Sequence, residues 1–175
     1  MSNLTNLQFK ELFQVLQDSM DAKAREHARE KLLEIDEEIL IGFLGKVVKN
    51  DTDTEVLAYA AELIVDSNNK QRANYILPLL QYKDPILRRH ICGLLGNCRD
   101  KVAVDPLIEK LQSDASADVR VIAAYALGKI GDRKALPFLT RARTALSFDF
   151  EGVTVSKEAS YAIDEIENNQ MYKQL

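Results

Sequence analysis

The fold is decided by the stretch Val119-Arg-Val-Ile-Ala-Ala-Tyr-Ala-Leu-Gly-Lys-Ile-Gly-Asp-Arg-Lys-Ala-Leu-Pro-Phe-Leu139. Apolar residues in its first half recur at the i, i+3, i+4, i+7 and i+8 positions that mark one face of an α-helix. Gly131 follows this run and suits the left-handed cap at the end of a helix. Pro137 lies near the start of the next apolar run, where a helix tolerates proline. The stretch therefore predicts a helix, a short turn and a second helix.

The same unit recurs along the chain. With Val119 as the reference, the equivalent residues are Ala24, Val56, Leu87 and Val155. They follow one another at steps of 32, 31, 32 and 36 residues. A period of this length is typical of solenoids built from stacked helix pairs. No segment shows the alternation that predicts a β-strand. We therefore expect an all-α fold, an α-solenoid (ARM-type superhelix) of about five antiparallel helix pairs.

The period and the composition also predict the domain organisation. Extra residues enter the loop at about 147–154, and a polar tail at about 168–175 is expected to fray. The chain is 46% hydrophobic and 29% charged, as in a soluble folded protein. It lacks an apolar run long enough for a membrane span and a signal-peptide pattern at its start. We expect one repeat domain over residues 1–175, located in the cytoplasm, with no membrane partner.

A family resemblance rests on a short set of residues in the central repeat. They are Val119-Arg120, Ala123-Ala124, Ala126-Leu127-Gly128, Ile130-Gly131-Asp132 and Ala135 to Leu139. In these residues the chain resembles the HEAT-repeat superfamily, and specifically the bacterial HEAT-like repeats of the phycobilisome (bilin) lyase type. The resemblance implies a single HEAT-like repeat domain in which the second helix of each pair lines a concave face.

Candidate binding residues lie on those second helices, away from the buried stripe. They are Arg88, Arg89, Arg120, Tyr125, Lys129 and Tyr161. Tyrosine and arginine are enriched in the hot spots of protein interfaces. A second interpretation is that the tyrosines only fill the contacts between helices. Phe148 and Phe150 in the inserted loop are further candidates, because insertions in solenoids often lie on the binding face. The alternative, which the need to close a terminal repeat favours, is that they fold back over the last helix pair.

Charge is distributed unevenly along the chain. Residues 70–145 carry 14 basic and 7 acidic side chains, whereas residues 1–69 carry 7 and 14. A basic middle favours a partner protein with an acidic patch, because electrostatic attraction speeds association. The alternative is that these charges only solvate exposed faces. The sequence carries no signal for an oligomeric state.

The sequence favours a non-enzymatic function. It shows no catalytic motif, no metal-ligand pattern and no cofactor-binding loop. The first hypothesis is therefore a scaffold or adaptor that binds another protein on the concave face. An alternative, implied by the resemblance, is a bilin lyase-like or phycobiliprotein-handling accessory protein, with a bilin chromophore as its ligand. A further alternative is binding of a nucleic-acid backbone through the basic middle repeats, which the acidic ends disfavour.

Overall fold

The architecture is all-α in the computed structural model, which describes residues 6–18, 20–67, 69–144 and 155–171. These residues form ten α-helices and three short 3-10 helices, with no strand among them. Their contacts group into two units, Met1–Tyr75 and Ile76–Leu175. The single repeat domain over residues 1–175 stays a prediction.

The first unit contains two helix pairs. Its helices are α1 (Asn6–Asp18), α2 (Ala22–Leu33), α3 (Glu37–Asn50), α4 (Thr54–Asp66) and α5 (Arg72–Ile76), which ends at the boundary. Helix α1 packs on α2 and α3 packs on α4, while α2 contacts both α3 and α4. Asp21, Asp36 and Asp53 each accept a hydrogen bond from a backbone N–H in the first turn of the helix that follows. These caps satisfy donors that a helix start leaves unpaired.

The second unit contains three helix pairs in two layers. Its elements are a 3-10 helix (Leu77–Gln81), α6 (Pro85–Cys98), a 3-10 turn (Lys101–Ala103), α7 (Val104–Ser113), α8 (Ala117–Ile130), a 3-10 turn (Arg133–Ala135), α9 (Leu136–Thr144) and α10 (Val155–Met171). Helix α8 packs between α6 and α10 in one layer, and α7 contacts α9 in the other. Stacked pairs of this kind confirm the predicted α-solenoid.

The predicted buried stripe is present in the second unit. Leu87, Val119 and Val155 are buried at equivalent positions near the starts of α6, α8 and α10. Two close approaches between helices of this unit fall at glycines. A Cβ atom on Gly96 would lie 2.9 Å from the Cα of Ala126, and one on Gly128 would lie 2.9 Å from the Cα of Ala162. Each helix of this layer therefore contacts the next through the same glycine–alanine pair.

In the first unit the stripe deviates by one residue. Val56 is only half-buried, whereas Leu57 is fully buried. The repeat places Leu57 at the position that Arg88 and Arg120 occupy in the second unit. An aliphatic side chain at this position is driven into the core by the hydrophobic effect, whereas an arginine keeps its charged end among polar partners.

One predicted helix is divided in two. The sequence predicts a single helix over Tyr75–Gln81, but α5 ends at Ile76 and a 3-10 helix follows over Leu77–Gln81. Pro78 lies in the first turn of the 3-10 helix. It has no backbone N–H to continue the α-helical hydrogen bonds, and its ring would clash with the preceding turn. Pro78 therefore ends the α-helical hydrogen bonding at Ile76 and lies at the start of the 3-10 helix.

We expect Arg99→Gly to raise the free energy of unfolding by about 1 kcal/mol, because the left-handed conformation costs an L-residue about that much. Arg99 ends α6 with φ 51°, at the position where Gly131 ends α8 with φ 74°. Urea denaturation followed by circular dichroism measures the change. Asn97→Gly, inside the same helix, should lower the free energy of unfolding by about 0.5 kcal/mol. Equal losses in both variants would contradict the strain at Arg99.

Candidate functional site

The second unit presents one row of residues on each of three neighbouring helices. Equivalent positions carry Arg89, Gly93 and Asn97 on α6, Val121, Tyr125 and Lys129 on α8, and Lys157, Tyr161 and Glu165 on α10. Residues four apart lie on the same side of a helix, so each set forms a row. We call Arg89, Tyr125, Lys129, Lys157 and Tyr161 the tyrosine face. It contains four of the six concave-face candidates.

Each tyrosine of this face is paired with a lysine on its own helix. Tyr125 is 36% exposed and Tyr161 is 55% exposed. The Nζ of Lys129 lies 5.4 Å from the centroid of the Tyr125 ring, and the Nζ of Lys157 lies 5.8 Å from that of Tyr161. These distances fall within the range of cation–π attraction. A tyrosine and a lysine held together in this way lose less side-chain entropy when a partner binds.

Acidic residues of α10 border the tyrosine face. The Nζ of Lys129 lies 3.4 Å from the Oε1 of Glu165. Burial raises the pKa of the half-buried Glu158 carboxyl, and the charge of Glu165 adds to this effect. Arg89 and Lys157 are exposed. Arg89, on the first helix of the face, is therefore more open to a partner than Lys129 at its centre.

Arg88, also predicted as a binding residue, has a structural role. Its Nε and Nη2 donate to the two carboxylate oxygens of Asp114 at 2.8 Å each. Its Nη1 donates to the backbone carbonyls of Tyr82 and Lys83 at 2.9 Å each. The side chains of Arg88 and Asp114 are only 13% and 2% exposed. Burial opposes the charge of Asp114, but hydrogen bonds from Arg88 and from the N–H of Ser116 hold the pKa of its carboxyl below the usual range.

Arg120 occupies the equivalent position one repeat later. Its Nη1 donates to the carbonyls of Asp114 and Ala115, at 2.7 and 3.3 Å. Arg88 and Arg120 thus each fix the loop before their own helix, and their role in binding stays a prediction. Sequence reasoning missed the structural role, although two arginines one period apart are the signal for it. It also missed Lys110, whose buried Nζ donates to the Oε1 of Gln81 at 3.1 Å.

Two loop candidates and one buried thiol complete the set of candidate residues. Phe148 and Phe150 lie outside the described residues. Burial raises the pKa of the Cys92 thiol to about 12, so this thiol stays protonated at neutral pH and is a poor nucleophile. Across the described part of the chain, no three His, Cys, Asp or Glu side chains are grouped to hold a metal ion. None of the helices described is both long and apolar enough to cross a bilayer.

Comparison with known proteins agrees with the repeat architecture. Residues 73–147 match the family model of HEAT repeats, which supports the predicted superfamily. No curated protein matches the sequence. The bilin lyase type therefore stays a prediction.

Two solved structures resemble this chain in fold. Human deoxyhypusine hydroxylase in complex with glycerol matches 78% of this chain with a TM-score of 0.67 and 20% sequence identity. The chain spans 46% of the length of that hydroxylase. An engineered protein matches 92% of this chain and 80% of its own, with a TM-score of 0.52 and 22% identity. At such identities the likeness shows the fold alone.

Proposed function

We propose that this chain is a non-enzymatic scaffold that binds an acidic partner protein through the tyrosine face. The observation that supports this proposal best is the pair of exposed tyrosine rings, each within cation–π distance of a lysine, on adjacent helices of one layer. Tyrosine offers a large apolar contact area together with a polar end, and it is common among the residues that dominate binding energy. A match to HEAT repeats is in keeping with a helical-repeat scaffold.

The charged side chains of the second unit bear on the nature of the partner, and the basic ones favour an acidic protein. Residues 76–144 carry 12 Lys and Arg against 7 Asp and Glu, whereas α10 carries one Lys against four Asp and Glu. Several of these cations are used within the unit, since Arg88 and Lys110 pair with Asp114 and Lys134 pairs with Asp105. Arg89 is exposed on the tyrosine face. This exposed cation attracts carboxylates and raises the association rate.

We expect Arg89→Glu combined with Tyr125→Ala to weaken capture of the partner about tenfold or more, since a hot-spot tyrosine and a favourable charge are both lost. The measurement is a pull-down from lysate of the source organism, quantified by mass spectrometry. The matched control is Lys49→Glu with Tyr75→Ala in the first unit, because Tyr75 is also 36% exposed. A protein retained by the wild type and the control but lost by the double variant supports the proposal. If all three chains retain the same proteins, the tyrosine face is not the binding surface.

A second candidate is the handling of a bilin or a phycobiliprotein, which the resemblance implies. Exposed tyrosine rings next to cations favour it, because Tyr125 could stack on a tetrapyrrole while Arg89 pairs with its propionates. The absorbance spectrum of the pull-down eluate tests it. A coloured eluate that contains a bilin would favour this function, and a colourless eluate with a captured protein would favour the scaffold.

The third candidate is binding of a nucleic-acid backbone through the basic residues 76–144. Internal ion pairs weaken it, because Lys101 lies 3.2 Å from Asp132 and Lys134 lies 2.6 Å from Asp105. Fewer cations are then free to release counterions from a phosphate backbone. Affinity for a DNA duplex that falls steeply with salt would favour this function over the scaffold.

A further inference from the structure

The tyrosine face has a gap on α6. Gly93 holds the position that Tyr125 holds on α8 and Tyr161 holds on α10. These two rings are 36% and 55% exposed. A side chain at residue 93 would point to the same surface, because α6 and α10 pack on the two sides of α8 in one layer. The glycine therefore leaves room for about one aromatic side chain on the helix next to Tyr125.

Packing between helices does not require a glycine at residue 93. Among the described residues of other helices, a Cβ atom there would meet only the Cγ2 of Ile122, at an ordinary contact distance of 3.8 Å. A Cβ atom on Gly96 would instead lie 2.9 Å from the Cα of Ala126, where a side chain does not fit. Glycine inside a helix is less favourable than alanine. Gly93 thus lowers stability without a reason in the fold.

Polar side chains flank this gap along α6. Arg89 lies one helical turn before Gly93 and Asn97 lies one turn after it, and both are exposed. Within the described ranges no carboxylate pairs with Arg89, and this includes Asp118, which is exposed in the first turn of α8. The cation of the face on α8, Lys129, already has a carboxylate partner on α10. The guanidinium of Arg89 is therefore open to a carboxylate of the partner.

We propose that the partner fills the gap at Gly93 with an aromatic side chain and pairs a neighbouring carboxylate with Arg89. This inference rests on the proposed function and specifies which part of the partner binds. The ring packs over Gly93 and against Ile122, next to Tyr125, because aromatic rings favour offset or edge contacts with one another.

The spacing of Arg89 and Gly93 describes the partner segment. Residues one turn apart on a helix have Cβ atoms about 5–6 Å apart. Two residues of an extended chain span about 6.6 Å, and their side chains lie on the same side. The segment that fits is therefore an extended one, in which a single residue separates the acid from the aromatic residue.

The probe is the peptide acetyl-Asp-Ala-Phe-Ala-Asp-amide, which carries an acid on either side of the ring. It is titrated into the full-length, ¹⁵N-labelled chain and followed by NMR. We expect saturable shifts of the amide signals of Gly93, Ile122 and Tyr125. The peptide with alanine in place of phenylalanine should bind at least about tenfold more weakly. The peptide with asparagine in place of both aspartates should bind several-fold more weakly.

Glycine variants separate the gap from the fold. Gly93→Leu fills the space and should weaken peptide binding about tenfold or more. Gly42→Leu is the matched control, because a Cβ atom on Gly42 of the first unit also meets no described atom within 4 Å, and it should bind as the wild type does. Gly93→Ala should raise the melting temperature by about 2–4 °C. Gly96→Ala should lower it, because its Cβ atom collides with Ala126.

Four results would overturn the inference. The first is a wild type without saturable shifts, and the second is equal binding of the phenylalanine and alanine peptides. The third is a Gly93→Ala variant less stable than the wild type, which would show that the fold needs this glycine. The fourth is peptide binding seen only when Phe148→Ala and Phe150→Ala are combined, since an aromatic side chain of the same chain would then fill the gap.

A pull-down with Gly93→Leu distinguishes this inference from the proposed function. The expected result is loss of the same protein that Arg89→Glu combined with Tyr125→Ala loses. If Gly93→Leu retains that protein, the tyrosine face binds its partner without the gap, and only the inference fails. If the double variant retains it as well, the tyrosine face is not the binding surface, and both fail.

Discussion

Leu127→Asp is expected to abolish the cooperative unfolding of the second unit. Leu127 is fully buried in α8, on the stripe that packs against the neighbouring helices. The substitution forfeits about 1.5–3 kcal/mol of hydrophobic burial. It also places a carboxyl group in an apolar site, at a further cost of several kcal/mol. The sum is comparable with the whole stability of a small domain, which is about 5–15 kcal/mol.

Urea denaturation by circular dichroism, together with amide hydrogen exchange in α6, α8 and α10, measures this effect. Tyr125→Asp is the matched control, because it introduces the same side chain on the same helix at a position that is 36% exposed. We expect it to change the free energy of unfolding by less than about 1 kcal/mol. A sigmoidal transition of Leu127→Asp near that of the wild type would contradict the assignment of the buried stripe.

The fold could be predicted from the sequence because each repeat carries the same local signals. The apolar spacing after Leu87 and Val119, the cap at Asp84 and the left-handed Gly131 all agree with one another and with the structure. Agreement of this kind across several repeats leaves few alternative folds. The repeat period does not predict where an α-helix gives way to a 3-10 helix. The 3-10 helix after Ile76 depends on a single proline, which marks a helix start elsewhere in the chain.

The candidate site could be predicted only in part. Tyr125 and Tyr161 are exposed, as positions away from the stripe should be. Helical spacing places Arg88 away from the stripe too, yet its side chain turns to the loops and to Asp114. Whether the Arg88 guanidinium can reach a partner depends on the carboxylate of Asp114, 26 residues away in sequence. A periodic pattern describes one helix at a time, so it does not contain that contact.

Loss of the ion pair between Arg88 and Asp114 is the second change expected to lower stability strongly. The burial of the two side chains sets how much unfolding free energy is lost. We expect Asp114→Asn to lower the free energy of unfolding by about 3 kcal/mol, because it leaves a mostly buried guanidinium without its counter-charge. Asp105→Asn is the control. Asp105 lies 2.6 Å from Lys134, closer than the 2.8 Å between Arg88 and Asp114, but its side chain is 69% exposed. Its loss should cost about 0.5 kcal/mol or less. Equal losses would show that distance and not burial sets the contribution.

The dependence of this effect on pH follows from the lowered pKa of the Asp114 carboxyl. A carboxyl group with a pKa lower in the folded chain than in the unfolded one stabilises the fold while it is ionised. Its contribution is fully present above the ordinary aspartate pKa of about 3.9 and is lost as the pH falls through the folded-state value. The difference in unfolding free energy between the wild type and Asp114→Asn should therefore be constant from pH 7 to about 5 and shrink below about 4. Urea titrations at each pH measure it, and a difference that grows on acidification would show that Asp114 is not the stabilising anion.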